Sequence, residues 1–302
     1  MPRKNPGRAT GSAAVLLVLV LIALIGLIFL ANDQGGTPTP ATSAPGAGLT
    51  VVMLDVGQGD SILVRGPTGK TMLVDAGGSE KVAEESILPR LRALGVSRLD
   101  YLLLTHPHQD HVGGMATVLA ALPTDATVLS GEISTNDDYR EFLMTVQRRK
   151  VQAVQARRGV NLDLGEDVAA EVLNPPGVLF EESNDNSVVV RVTYGRVSVL
   201  LMGDAEERAI ESMLEARLPL ESAVLKVGHH GSANATSKAL LQAVRPDYAL
   251  ISVGVNNPFK HPHRETLSLL NEAGAEVYRT DQHGTVIVTT DGQTIQVSTA
   301  KD

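Results

Sequence analysis

Cysteine and tryptophan are both missing from this 302-residue chain, and aromatic residues make up only 3% of it. Without cysteine there can be no disulfide staple, no thiolate metal ligand and no lipid-modified cysteine. With so few aromatic rings, any core must be assembled from Val, Leu, Ile and Ala. Basic charge is also scarce: 34 acidic side chains face 26 basic ones, and three of the basic ones, Arg3, Lys4 and Arg8, fall in the first 12 residues. A protein that tracks a long stretch of nucleic acid carries a basic footprint. This chain has none globally, which argues against an extended DNA-binding surface. The size allows one large domain or two small ones.

What is present first is a long apolar run. Residues 13–31 are a 19-residue stretch of Ala, Val, Leu, Ile, Gly and Phe, with no charge. At about 1.5 Å per residue it approaches the roughly 20 residues that cross a bilayer. Basic residues precede it, and the next Lys or Arg is Arg65. The expectation is therefore a basic cytoplasmic N-terminus over 1–12, a single transmembrane anchor over 13–31, and the rest of the chain outside. The alternative is a cleaved signal and a secreted product. The run is longer than a usual signal core, however, and no clear Ala-x-Ala site follows Phe29-Leu30. Residues 32–48 are rich in Pro, Gly, Thr, Ser and Ala and read as a flexible linker. A folded domain is expected over 49–302.

Within that domain, short β-branched runs alternate with helical spacing. Strands are expected at 49–55, 62–65, 71–75 and 100–105, with a helix over 82–94 before the last of them. The alternation continues to the C-terminus and predicts an α/β layered domain. Acidic or histidine residues stand just after apolar strands at Asp75, His106, Asp204 and His229, so they can converge on one sheet edge.

Eight histidines are distributed unevenly. Seven fall in three clusters: His106, His108 and His111; His229 and His230; His261 and His263. Each cluster sits beside glycine, proline or aspartate, and none of the eight lies between 111 and 229. In Leu102–Gly114 three imidazoles and Asp110 follow a strand within six positions. Histidine binds borderline-soft divalent metals and aspartate adds a hard oxygen. His106 and His108 can face one position, and Asp110 and His111 a second, so the spacing suggests two metals side by side. Asp204 and His229 are further candidate ligands. Only one of the adjacent His229 and His230 is expected to face the same point, and His230 is placed beside the ligands. Gly57, Gly59 and Asp60 read as a tight connection near the site. His283 reads as a hairpin residue. The cluster around Gln147–Lys150, Arg157 and Arg158 is a solvated face or, alternatively, a local phosphate contact.

The string Thr-His-Pro-His-Gln-Asp-His-Val-Gly-Gly resembles the His-x-His-x-Asp-His signature of the metallo-β-lactamase superfamily. Leu54–Ser61, Asn184–Ser187, Leu201–Glu206 and Leu225–Ser232 are similar, in order over about residues 49–298, to the hydrolase domain of ComEC-type DNA-uptake proteins. The resemblance implies a four-layer αββα sandwich behind the single transmembrane helix, with metals at one edge between the sheets. It implies His106 and His108 on a first metal, Asp110 and His111 on a second, Asp204 bridging, and His229 completing the second site. Asp75 matches a supporting carboxylate, and Asp60, Asn186, Ser187, His230 and Ser232 fall near the ligands or substrate. Many superfamily members carry a third histidine on the first metal. Here Asn184-Asp185-Asn186-Ser187 occupies that interval, which makes the site more oxygen-rich and Mn²⁺ plausible beside Zn²⁺.

The expected activity is therefore dinuclear hydrolysis of a phosphodiester, DNA above all, by a metal-activated hydroxide. Asp110 is expected in the catalytic machinery, and His261 to protonate the leaving group or position the substrate. One apolar segment cannot form a channel, so a direct role in DNA import needs a separate channel protein. Two other readings stand beside this one: hydrolysis of a small phosphoester, ester or lactam, and a non-catalytic binding module.

Overall fold

The computed structural model describes residues 48–301, and in addition Ala23 and Gly26. The expected anchor over 13–31 and the linker over 32–48 lie outside the described residues apart from these two positions and Gly48. No helix among the described residues is long and apolar enough to cross a membrane.

Two sheets stack face to face. The first has eight strands in the order β15-β14-β1-β2-β3-β4-β5-β6. These are β1 Leu49–Met53, β2 Ile62–Arg65, β3 Thr71–Val74, β4 Leu99–Leu103, β5 Thr124–Leu129, β6 Gln152–Gln155, β14 Val286–Thr290 and β15 Ile295–Thr299. The second has seven, in the order β13-β12-β11-β10-β9-β8-β7. These are β7 Asn161–Asp163, β8 Val168–Asn174, β9 Val189–Tyr194, β10 Val197–Leu201, β11 Val224–Lys226, β12 Tyr248–Ile251 and β13 Glu276–Arg279.

The period of two along each strand sorts side chains between layers. In β3, Met72 and Val74 pack between the sheets, while Leu73 faces the helices beyond the first sheet. In β10, Val199 and Leu201 pack between the sheets, and Leu200 faces the helices beyond the second. On the first sheet lie the helical run over residues 80–93, Met115–Ala121 and Asp137–Arg149. On the second lie Glu207–Glu215, Lys238–Val244 and Arg264–Glu272. The result is an αββα sandwich with three apolar layers. Each fully buried Val, Leu or Met contributes about 1.5–3 kcal/mol by leaving water.

Polarity of the strands positions the site. β3, β4 and β5 run parallel, as do β10, β11 and β12. The segments after β3, β4, β10, β11 and β12 therefore leave their sheets at carboxyl ends, where loops of α/β layers collect function. They carry Asp75, His106–His111, Asp204, His229–His230 and His261. β6 and β7 were not expected as strands. Both are short and polar, with exposed Gln152, Gln155, Asn161 and Asp163, and they lie at sheet edges where one face has nothing apolar to meet.

Candidate metal centre

The first ligand group depends on a close backbone approach. Gly59 has φ +125°, and a Cβ there would stand 2.2 Å from the Asp110 carbonyl oxygen. Only glycine lets the 57–60 turn lie against the histidine loop. Asp60 N then donates to Asp110 O at 3.2 Å, and Gly77 N to Asp60 O at 2.9 Å. Three loops are pinned together before any side chain is considered.

Asp75, also at positive φ, is fully buried after β3. It accepts from Thr105 N at 2.8 Å and from Thr105 Oγ1 at 2.7 Å. Its Oδ2 lies 2.7 Å from His111 Nδ1. In that contact Nδ1–H donates to the carboxylate, which turns Nε2 inwards, the usual way a carboxylate orients a metal-binding imidazole. His111 Nε2 lies 3.2 Å from Asp204 Oδ2 and 3.8 Å from Asp110 Oδ1. Burial opposes charge on the His111 ring, yet Asp204, Asp75 and Asp110 push its pKa well above the imidazole range.

His106 is buried, with Nδ1 at 3.1 Å from Thr105 Oγ1 and 3.4 Å from Ser187 Oγ. Its Nε2 is 3.0 Å from Nδ1 of the exposed His108 and 3.9 Å from Asp204 Oδ2. Burial and the neighbouring His111 hold its pKa well below the usual value, so the ring is neutral. Asp204 follows β10 on the opposite sheet. Ser187 Oγ accepts from its backbone N at 3.1 Å. Burial opposes its charge, but His111 and His230 hold it well below the carboxylate range.

His229 and His230 both have left-handed backbones, φ 44° and 53°. The two rings diverge. His230 is buried, and its Nδ1 lies 2.9 Å from the Ser252 carbonyl, which can only accept. Nδ1 therefore carries hydrogen, and Nε2 faces Asp110 Oδ2 at 3.1 Å and Asp204 Oδ2 at 3.5 Å. Burial opposes charge here too, but Asp204, Asp110 and Asp60 push its pKa up to about 10. His229 instead meets Glu206 Oε1 through Nδ1 at 2.5 Å, and its Nε2 is 3.7 Å from Asp204 Oδ2.

Donor atoms of His106, His111 and Asp204 lie within 4.8 Å of one another. So do those of Asp110, His111 and His230, of Asp60, Asp204 and His230, and of Asp60, Asp75 and His111. His230 thus joins the convergent donors, where the sequence assigned His229 to the ligands and His230 beside them. His229 Nε2, 3.7 Å from Asp204 Oδ2, borders the same cluster, with Glu206 at its Nδ1 as Asp75 is at that of His111.

The donor set fits divalent metal. His111 Nε2 and Asp204 Oδ1 are buried without a hydrogen-bond partner, as is Asp60 Oδ1. Buried polar atoms lacking partners are rare, and here three of them border one cluster. Imidazole with carboxylate suits zinc, manganese or iron chemistry.

The remaining expected residues divide. Asp60 is fully buried and pairs with Lys226, Nζ to Oδ2 at 2.7 Å. Ser187 touches both sides of the centre through His106 and Asp204. Asn186 does not reach it: its side chain accepts from Phe180 N at 2.7 Å and donates to Phe180 O at 3.0 Å, tying down the preceding loop. Asp185 accepts from Glu206 N and Ala209 N at the start of the 207–215 helix. Ser232 closes a turn through backbone, N to His229 O, and its carbonyl accepts from Thr266. His261 is largely buried, with ring centroids 5.3 Å from His229 and 6.4 Å from His230. Burial and its imidazole neighbours lower its pKa to about 4. His263 Nδ1 accepts from Ala233 N, and His283 Nδ1 from Arg279 N. Arg157 and Arg158 donate to the carbonyls of Ser130, Ala156 and Leu173, and Arg149 to that of Ala120, so these guanidiniums brace backbone.

Sequence reasoning missed Lys226, Glu206 and Ser252. Glu206 stands two positions after Asp204, which is a usable signal. Lys226 reads as an ordinary strand residue, and Ser252 contributes a backbone carbonyl that no side-chain pattern reveals.

Comparison with known proteins places the chain. The metallo-beta-lactamase superfamily model matches residues 54–255. ComE operon protein 3 of Bacillus subtilis is 33% identical over 78% of this chain and 32% of its own length. Competence protein ComA of Neisseria gonorrhoeae is 32% identical over 93% of this chain and 39% of its own. The chain thus spans about a third of the length of these relatives. Among solved structures, the diiron β-hydroxylase CmlA of Streptomyces venezuelae superposes with a TM-score of 0.52 at 15% identity, covering 88% of this chain and 62% of CmlA; that likeness speaks to fold alone. Taken with the αββα layers and the donor cluster at their edge, these matches show that the chain belongs to the metallo-beta-lactamase superfamily, whose members are mostly metal-dependent hydrolases.

Proposed function

We propose that this chain is a membrane-anchored, extracytoplasmic, dinuclear metal-dependent phosphodiesterase that cuts DNA. The observation that carries the reading is the cluster of buried, partnerless donors on His111 and Asp204, bordered by His106, Asp110 and His230. Its imidazole-and-carboxylate composition has no third histidine on the His106 side. The name of the gonococcal relative, a competence protein, favours DNA over other phosphodiesters. The anchor rests on the apolar run over 13–31. If the protein acts in DNA uptake, a separate channel protein is its partner.

His106, His108, Asp110, His111, Asp204 and His230 would hold two ions, with His229 at the margin. Bound there, such ions lower the pKa of a water and offset charge on the phosphate oxygens. The protein's own groups do the rest. Asp75 and Ser252 fix the two imidazoles so that each Nε2 faces inwards. Asp110 stays ionised, because His111 and His230 outweigh its burial, and its Oδ1 is the oxygen free to orient an attacking water. His261 is neutral near pH 7, so it serves as a hydrogen-bonding group that positions substrate rather than as a stored proton.

The test is degradation of single- and double-stranded DNA by the purified chain with Mn²⁺ or Zn²⁺, beside an Asp110→Ala control. Metal-dependent cleavage lost in the control is expected. Turnover of a generic phosphodiester without cleavage of any nucleic acid moves the substrate to a small phosphoester. Less than one ion bound per chain after loading leaves a binding module. Fractionation tests the anchor: a shortened, soluble, secreted form would overturn it.

A further inference from the structure

Phenylalanine occurs four times in the chain. Phe142 is fully buried and Phe180 packs on the core under the second sheet. Phe259 is 57% exposed. It belongs to the connection between β12 and the Arg264–Glu272 helix, the connection that also delivers His261 to the metal edge.

The exposure does not come from a loose loop. Asn257 Nδ2 donates to Gly254 O at 3.1 Å and to His261 O at 2.7 Å, and its Oδ1 accepts from His261 N at 3.0 Å. One amide side chain thus ties the ends of the loop across Phe259. Behind Phe259 the His261 ring lies nearly parallel, 26° between planes and 5.7 Å between centroids. His261 in turn meets His229 and His230 at 5.3 and 6.4 Å. A continuous series of rings leads from solvent to the donors beside Asp110 and Asp204. One face of Phe259 is backed by this series and the other is open.

Charge around the ring has the opposite sign to the whole chain. Residues 254–266 contain Lys260 and Arg264 against the single acid Glu265. Both cations are exposed, and among the described residues neither side chain makes an ion pair or hydrogen bond. An open aromatic face with free cations beside it matches a stacked base with its flanking phosphates. Bases within a duplex have no free faces, so the fit is to single-stranded nucleic acid.

We propose that Phe259 is a stacking platform for a base next to the scissile phosphodiester, with Lys260 and Arg264 contacting the neighbouring phosphates, so that the centre takes single-stranded substrate. The inference rests on the phosphodiesterase reading above but is separable from it by experiment. The full chain is titrated with a single-stranded oligonucleotide carrying 2-aminopurine, and with the same strand made abasic at that position. Cleavage of both is followed with metal present.

Stacking predicts quenching of 2-aminopurine by the wild-type chain and loss of the quench in Phe259→Ala. It also predicts about tenfold weaker binding of the intact strand in that variant, little change with the abasic strand, and retention in Phe259→Trp. Lys260→Gln should weaken both strands alike and flatten the salt dependence. Cleavage of single strands with Phe259→Ala equal to wild type in quench and affinity overturns the stacking proposal and leaves the hydrolase. Phe259-dependent quenching without cleavage under any metal sustains the platform and overturns the hydrolytic reading. Because Phe259 is exposed, the alanine variant folds, and its circular dichroism should match wild type.

Discussion

Lys226 Nζ lies 2.7 Å from Asp60 Oδ2, and both side chains are closed off from solvent. The pair joins the end of β11 in the second sheet to the loop that follows β1 in the first. Lys226 also donates to the Val227 carbonyl at 3.0 Å. The other Asp60 oxygen is 3.5 Å from His230 Nδ1. A buried ion pair therefore stands directly behind one of the convergent imidazoles.

Breaking that pair from one side should be costly. Lys226→Met leaves the Asp60 carboxylate buried and unpaired, and about 3–5 kcal/mol of stability should be lost. Lys226→Met with Asp60→Asn should recover much of it. Acid titration gives the same pair a second signature. Burial raises the Asp60 pKa, but Lys226 and His230 outweigh it and hold the value at about 2. A depressed carboxylate contributes stability above its unfolded value, about 4, and loses it as pH falls towards the folded one. Urea midpoints should fall as pH drops through that window in wild type; in Lys226→Met this acid-side loss should shrink or reverse, because burial then raises the Asp60 pKa and protonation relieves the unpaired charge.

His230→Ala should strip metal more severely than His229→Ala. The His230 Nε2 has Asp110 at 3.1 Å and Asp204 at 3.5 Å, whereas the His229 Nε2 has Asp204 alone, at 3.7 Å. Metal content after gel filtration, and competition with a chromophoric chelator, would measure it. At least a tenfold weaker affinity is expected for His230→Ala, in the range reported generally for disturbed metal spheres of about 10–100-fold. Equal losses in both variants would return His229 to the inner set.

Metal loading should stabilise the fold and release protons. At metal concentrations about 100-fold above Kd the gain is about 2.7 kcal/mol, which for a domain of this size raises Tm by about 5–10 °C. His111 and His230 carry raised pKa values in the metal-free protein, the latter about 10, so near neutral pH each holds a proton that metal must displace. Affinity should rise with pH across pH 6 to about 9. Calorimetry in buffers of different ionisation enthalpy should show proton release on binding. A pH-independent affinity would contradict this electrostatic picture.

Most of the layer architecture was legible, because apolar alternation is a direct record of which strand face is covered. Strands β2 and β3 and the helical run before β4 fall where the pattern put them. Edge strands β6 and β7 escaped because they have little to bury. The site was legible where a motif is local, as in His106–His111. It was ambiguous at His229 and His230, where two consecutive left-handed residues send adjacent rings in different directions, and a sequence does not show backbone handedness. Asn186 and Lys226 mark a second limit. A polar residue near a centre can be consumed by a loop, and a lysine in an apolar strand shows its role only with its distant acid in view.

The two sheets each supply part of the centre, and the chain order of those parts sets a timetable. Asp110 and His230 are 120 positions apart yet lie 3.1 Å from each other. During synthesis the histidine loop emerges long before β10, β11 and their following loops exist. A half-made chain holds some donors but not the convergent set. The centre is therefore incomplete until the second sheet has closed on the first, and a truncated or stalled product would hold only part of the donor set.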